Sequence, residues 1–218
     1  MEFIFIRHAE SEGNVQGIMQ GRKDYPLSAL GWQQSQCLTD YLHQDFFQSH
    51  LPTAIYCSPL QRTRQTIAAY QELRSDIPFV LSEQLIEVDS GIFSGLNWQE
   101  ALERHPEICQ QFKQAGDWGV VPEGESREML WQRARGFLDQ IQSQHPKDAR
   151  ILIMTHGGFV RAALSILAGI VPDEKLFVCI DNTSISIGGI HTTRRYIRTI
   201  NDTRHLKSCD YIPEFSPL

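Results

Sequence analysis

No long apolar run interrupts this 218-residue chain. The stretch AALSILAGIV at 162–171 is among the most hydrophobic, and it falls well short of the roughly 20 residues a bilayer requires. The first residues pass straight into a strand-like segment, with no basic leader and no extended apolar segment behind it, so no signal peptide is expected. Cysteine is scarce and scattered. Cys37, Cys57, Cys109, Cys179 and Cys209 form an odd set without a C-x-x-C pair, which argues for reduced thiols in a cytoplasmic protein. A basic excess is also missing: 20 Lys and Arg against 26 Asp and Glu leave a formal charge of -6. That balance argues against nucleic acid or an anionic membrane as partner, although cations can still gather locally. No repeat, low-complexity tract or Gly/Ser linker divides the chain, so a single domain over 1–218 is expected, long enough for a substantial core. P-loop, G-x-G-x-x-G and G-x-S-x-G patterns are absent, and no metal-ligand motif appears.

Short apolar runs bounded by polar residues are what the chain does have. FIFI at 3–6, TAIYC at 53–57, FVL at 79–81 and ILIM at 151–154 read as strands, and their continuous apolarity suits strands covered on both faces. TSISIGGI at 183–190 and RRYIRTI at 194–200 read as a closing hairpin around HTT. Helical spacing runs between them, over 28–46 and 125–142. Alternating β and α units predict an α/β three-layer sandwich: a mostly parallel sheet, helices on both faces, an antiparallel edge. Sites in such sheets lie beyond the carboxyl ends of the strands.

The strand ends carry an unusual set of side chains. Arg7 and His8 follow the first strand, and His156 follows ILIM, with Gly157 and Gly158 allowing a tight turn into the next helix. Glu87 lies in LIEVDSG after the FVL strand. After TAIYC, the sequence SPLQRTRQT predicts Ser58 as N-cap, Pro59 at the first helical position and Gln61 completing a capping box, which puts Arg62 in the first turn. Two arginines, two histidines, a helix N-terminus and an acid are what phosphate chemistry asks for. Taken singly, Arg7 reads as a structural ion pair and His8 as a strand-end histidine; jointly they point to a site.

With these motifs in order, the chain resembles the histidine phosphatase superfamily, the phosphoglycerate-mutase-like family, over nearly its whole length. RHAES-x-x-N is similar to the family's Arg-His-Gly-Glu-Thr/Ser signature, SPLQRTRQT to its second arginine motif and LIEVDSGIFSG to its proton-donor motif, and PEGES at 122–126 and THGGFVR match as well. Ala9 stands where the family usually has Gly, which is tolerable wherever φ is negative.

The resemblance implies a metal-independent phosphatase that hydrolyses a small phosphorylated metabolite through a phosphohistidine, with no cofactor. His8 would be the nucleophile, held neutral by Arg7 and Arg62. The two guanidiniums would grip the non-bridging oxygens, with His156, Asn14 and backbone N–H groups completing the cradle. Glu87 would protonate the leaving oxygen and then serve as base to water; an ordinary Glu titrates near about 4.3, so the pocket or the phosphate must raise it. Asp89 is the alternative donor. Ser11, Gln20, Gly21 and Gly157 are candidate substrate-pocket residues, as is His205, because similar tails in the family fold towards the site. The segment 92–124, with Trp98, Phe112 and Trp118, corresponds to a region that often forms a lid. Two other functions are kept in view, a cofactor-dependent phosphoglycerate mutase and a non-catalytic phosphate-binding module. Metal-independent phosphoserine phosphatases are among the similar branches, but they commonly carry a histidine where this chain has Ser90. Some members are dimers, so a homodimer is compatible with the resemblance.

Overall fold

The computed structural model describes residues 1–48, 50–172 and 178–209. In chain order its first half comprises β1 (Glu2–Arg7), α1 (Glu12–Val15), α2 (Ala29–Tyr41), β2 (Ala54–Cys57), α3 (Gln61–Leu73) and β3 (Phe79–Leu81). The second half comprises α4 (Trp98–Arg104), α5 (Pro106–Ala115), α6 (Arg127–Gln144), β4 (Arg150–Thr155), α7 (Gly157–Ala168), β5 (Ile185–His191) and β6 (Arg194–Asp202). The predicted helix over 28–46 is α2 continued by a π-helical turn, Leu42–Phe46.

Each central strand is apolar at successive positions because its two faces meet two different helix layers. Phe3 and Phe5 of β1 pack with Ile151 and Ile153 of β4 against Phe137 and Ile141 of α6 and Phe159 and Leu164 of α7. Ile4, Ile6, Leu152 and Met154 face the other way, onto Leu38 of α2 and Ile67 and Tyr70 of α3. The four β1 side chains are fully buried, each contributing about 2–3 kcal/mol of apolar transfer. The three-layer expectation holds. The exception is β3, the sheet's edge strand, whose Val80 and Leu81 are exposed while Phe79 packs against the cluster of α2 and α3.

The six strands run in the order β3-β2-β4-β1-β5-β6. Neighbours among β1 to β4 are parallel, and β5 and β6 add the antiparallel edge. Strand register aligns the polar residues at the carboxyl ends. Arg7 of β1 is level with Thr155 of β4, so His8 and His156 leave the sheet side by side. On the other flank of β4, Cys57 of β2 is level with Met154, which brings Ser58 next to them. Cys57, Cys109 and Cys179 are free thiols, whereas Cys37 is disulfide-bonded, contrary to the expectation of reduced cysteines throughout. Among the described residues no helix is long and apolar enough to cross a membrane.

Candidate active site

His8 is buried just beyond β1, and its Nδ1 lies 2.7 Å from the carbonyl oxygen of Ala9. A carbonyl can only accept, so Nδ1 carries the proton and Nε2 keeps its lone pair. Burial first, then the charges of Arg62 and Arg7, drive the imidazole well below its usual range, so it is neutral at physiological pH. Its peptide is clamped from behind. Asn182 Nδ2 donates to the His8 carbonyl at 2.9 Å, and Thr183 N–H reaches the Arg7 carbonyl at 3.1 Å. Thr183 holds this position at φ 55, a conformation that costs a β-branched residue about 1–3 kcal/mol. Ala9 is fully buried and lies outside the left-handed region, so its methyl group strains nothing in the backbone.

Arg62 is buried in the first turn of α3, with Nη1 donating to the Lys23 carbonyl at 2.8 Å and Nη2 to the Gly21 carbonyl at 3.0 Å. Burial lowers it to about 10, opposed by the charges of Glu87 and Asp24, and it remains a cation at neutral pH. Its Nε has no partner among the described residues. Gly21 adopts φ +51, and a Cβ there would stand 2.6 Å from Ser94 Oγ; glycine is required by both conformation and space. Arg7 Nη1 donates to the Ile180 carbonyl at 2.5 Å. α3 begins later than the sequence predicts: Leu60, extended at ψ 142, is the N-cap, and no side chain caps it. Ser58 is therefore not a cap. Its hydroxyl lies 2.8 Å from His156 Nε2 instead.

His156 is buried at the N-cap of α7, its ring edge-on to that of His8 with centroids 5.2 Å apart. Burial, then Arg62, His8 and Arg7, push it well below the usual histidine range, and its Nδ1 is buried without a partner among the described residues. Glu87 does not sit at the end of β3 itself but beyond a 3-10 turn, Glu83–Leu85. Its Oε1 accepts from Val88 N–H at 2.8 Å and from Gly158 N–H, in the first turn of α7, at 3.2 Å. A Cβ on Gly158 would stand 2.4 Å from that oxygen. Gly157, by contrast, has room for a methyl group, with Arg7 Nε 3.7 Å away.

Several groups that build this site were not singled out from the sequence. Arg133 of α6 chelates Glu125 at 2.8 and 2.7 Å and donates to the carbonyls of Gln84 and Ile86, each at 2.8 Å, which fixes the approach to Glu87. Burial alone would raise the Glu125 carboxyl, but the Arg133 bonds and the charges of Arg133 and Arg22 hold it below its ordinary range. Thr66 Oγ1 accepts from Ala9 N–H at 2.9 Å and donates to the Arg62 carbonyl at 2.6 Å. The other predicted residues are placed as follows. Asn14 Oδ1 accepts from Ser11 N–H in the capping box of α1. Ser11 Oγ and Gln20 Oε1, both buried, are 2.8 Å apart. Ser90 is buried. His205 lies behind the His8 loop, stacked on Tyr41 and 3.2 Å from Thr183 Oγ1. Trp98, Phe112 and Trp118 pack in an apolar cluster with Phe93, Ala101, Cys109 and Val121.

A neutral imidazole with an unshared pair, flanked by guanidiniums and an acid, is the equipment of a phosphoryl-transfer enzyme that works through histidine. Among the described residues no cluster of potential metal ligands accompanies it. The chain belongs to the histidine phosphatase superfamily (branch 1), whose family model matches residues 3–203. It is 30% identical over 206 residues to phosphoserine phosphatase 1 of Hydrogenobacter thermophilus, covering 94% of each chain. It is 27% identical to a metal-independent phosphoserine phosphatase of Arabidopsis thaliana, over 97% of this chain and 85% of that one. Among solved structures, the α-ribazole phosphatase of Shigella flexneri superposes with a TM-score of 0.81 at 23% identity, covering 93% of this chain and 96% of the other.

Proposed function

We propose that this chain hydrolyses a small phosphomonoester in two in-line steps, with His8 Nε2 as the nucleophile. The observation that carries this reading is the Nδ1 contact to the Ala9 carbonyl at 2.7 Å, which leaves Nε2 as the atom with a free pair on a buried, neutral ring. In the first step Nε2 bonds to phosphorus while the ester P–O bond breaks, and Glu87 gives the departing oxygen its proton. In the second step Glu87 takes a proton from water as its oxygen attacks phosphorus, the N–P bond breaks and orthophosphate leaves. Arg7, Arg62, His156 and the Asn14 amide hold the non-bridging oxygens; the capping box engages Asn14 Oδ1 and so directs Nδ2 away from it. Gln20, Ser11 and Gly21 support this floor, Gly21 through its carbonyl bond to Arg62.

The identity to enzymes named phosphoserine phosphatases makes phosphoserine the first ester to assay. Ser90, packed close to where a Gly21 side chain would lie, offers no ring to the substrate, so we expect specificity broader than for that amino acid alone. We read 92–124 as a lid, supported by its own apolar cluster distinct from those that pack on the sheet. A panel of phosphomonoesters assayed in EDTA tests the proposal. Wild type should release phosphate with chelator present, and His8→Ala should abolish release. Glu87→Gln should lose activity severely on alkyl esters and mildly on an aryl ester, whose phenolate leaves unaided. Equal loss on both ester types would remove Glu87 from the donor role.

A further inference from the structure

We infer that Ser58 is a positioning residue that sets the tautomer of His156, so that Nδ1 carries the proton and serves as a fixed donor to a phosphate oxygen. The inference rests on reading His156 as a phosphate ligand.

The hydroxyl of Ser58 has two neighbours. It lies 2.8 Å from His156 Nε2, and Leu60 N–H points at it from 3.4 Å. The rest of the residue is anchored on both sides. Its N–H donates to the Met154 carbonyl at 3.0 Å, and its carbonyl accepts from Thr63 Oγ1 at 2.8 Å. The side chain is thus fixed, fully buried, with a backbone donor already on its oxygen. A neutral imidazole has one donor nitrogen and one acceptor nitrogen, so only two arrangements are open.

If Ser58 donates to Nε2, the hydroxyl proton and the Nε2 pair are both satisfied, and Leu60 N–H occupies the remaining side of Oγ. Nδ1 then bears a proton and is the single group left over, in a ring whose surroundings (Arg62, Arg7 and His8) are those proposed to receive the phosphate. In the reverse arrangement Nε2–H donates to Oγ. The Ser58 proton then has no acceptor among the described residues, and the Nδ1 pair would face an oxyanion and repel it. Burying two unmet groups instead of one, which a ligand can meet, is the costlier choice. Both site imidazoles therefore carry the proton on Nδ1 for opposite purposes: His8 presents the unshared pair of Nε2 to phosphorus, His156 the proton of Nδ1 to oxygen.

Histidine-selective ¹⁵N labelling with two-bond proton–nitrogen correlation above pH 7 reads the tautomer directly in the wild-type protein. The expected result is a protonated Nδ1 and an unprotonated Nε2 at His156, with the Nδ1 proton moving downfield on titration with inorganic phosphate. In Ser58→Ala the His156 pattern should mix or invert while that of His8 stays. kcat/KM should fall by on the order of tenfold, short of the roughly 10²- to 10³-fold loss that follows removal of a transition-state donor itself. Ser58→Thr, which keeps the hydroxyl, should restore the wild-type pattern. An Nε2–H tautomer in the wild type overturns the inference, and so does a Ser58→Ala protein that keeps both the tautomer and the activity. If the tautomer is as expected but phosphate leaves the Nδ1 proton unmoved and no ester is hydrolysed, it is the phosphatase reading that fails.

Discussion

One hydroxyl, Thr66 Oγ1, ties the nucleophile's loop to the second arginine's helix, accepting from Ala9 N–H and donating to the Arg62 carbonyl. Thr66→Val keeps the shape and strands a buried N–H next to the carbonyl that orients His8. Unfolding in urea should show a loss of about 1–3 kcal/mol, and steady-state kinetics a lower kcat with little change in KM. Gly158 offers a second single-residue test. A methyl group there would stand 2.4 Å from Glu87 Oε1 and would displace the carboxylate. Gly158→Ala should therefore reproduce the ester signature of Glu87→Gln, with alkyl esters hit harder than aryl ones. The neighbouring Gly157→Ala, whose Cβ meets Arg7 at an ordinary 3.7 Å, should be mild by the same assay.

At the scale of elements, α6 steers the acid loop through Arg133, which chelates Glu125 and holds the carbonyls of Gln84 and Ile86. Arg133→Met leaves the buried Glu125 carboxylate with the half-exposed Arg22 at 3.3 Å and the Asp89 N–H at 3.3 Å, and no guanidinium chelating it. Denaturant titration should register about 3 kcal/mol of destabilisation, and the remaining folded enzyme should lose kcat on alkyl esters because Glu87 is no longer held. This clamp was illegible in the sequence. The partners of Arg133, which include the Glu87 carbonyl at 3.5 Å, are separated from it by 8, 46, 47 and 49 residues, and no local pattern joins them. The strands were legible because burial on two faces leaves a continuous apolar run, and the residues at their ends stood out as charges abutting such runs. Ser58 misled for a physical reason. Serine before Pro-x-Gln has the composition of a helix cap, but its hydroxyl was claimed by a histidine 98 residues away, and the helix began at Gln61 without a side-chain cap. The His205 ring lies 3.2 Å from the hydroxyl of Thr183, whose N–H holds the Arg7 and His8 carbonyls, a contact 22 residues apart that no local pattern announces.

For the molecule as a whole, three buried histidines make folding sensitive to acid. His8 and His156 are lowered well below 6.5, and burial brings His205 to about 4, with Asp202 opposing. An unfolded chain takes up these protons as pH drops through 6.5 while the native protein refuses them, so stability is complete above about 7.5 and declines below 6.5. His205 alone accounts for about 2 kcal/mol by pH 5. Urea midpoints at pH 7.5 and 5 should differ accordingly, and His205→Gln should flatten the dependence; identical midpoints would contradict the burial of these rings in the neutral form.

The parallel ladder between β1 and β4, which sets Arg7 level with Thr155, acts as the alignment gauge of the chemistry. Slipping β4 by one position would swing Ile153 and Met154 to opposite helix layers and carry the second imidazole out of range of the first. An insertion or deletion inside either of these two strands would therefore have to be matched in the other before any turnover could survive.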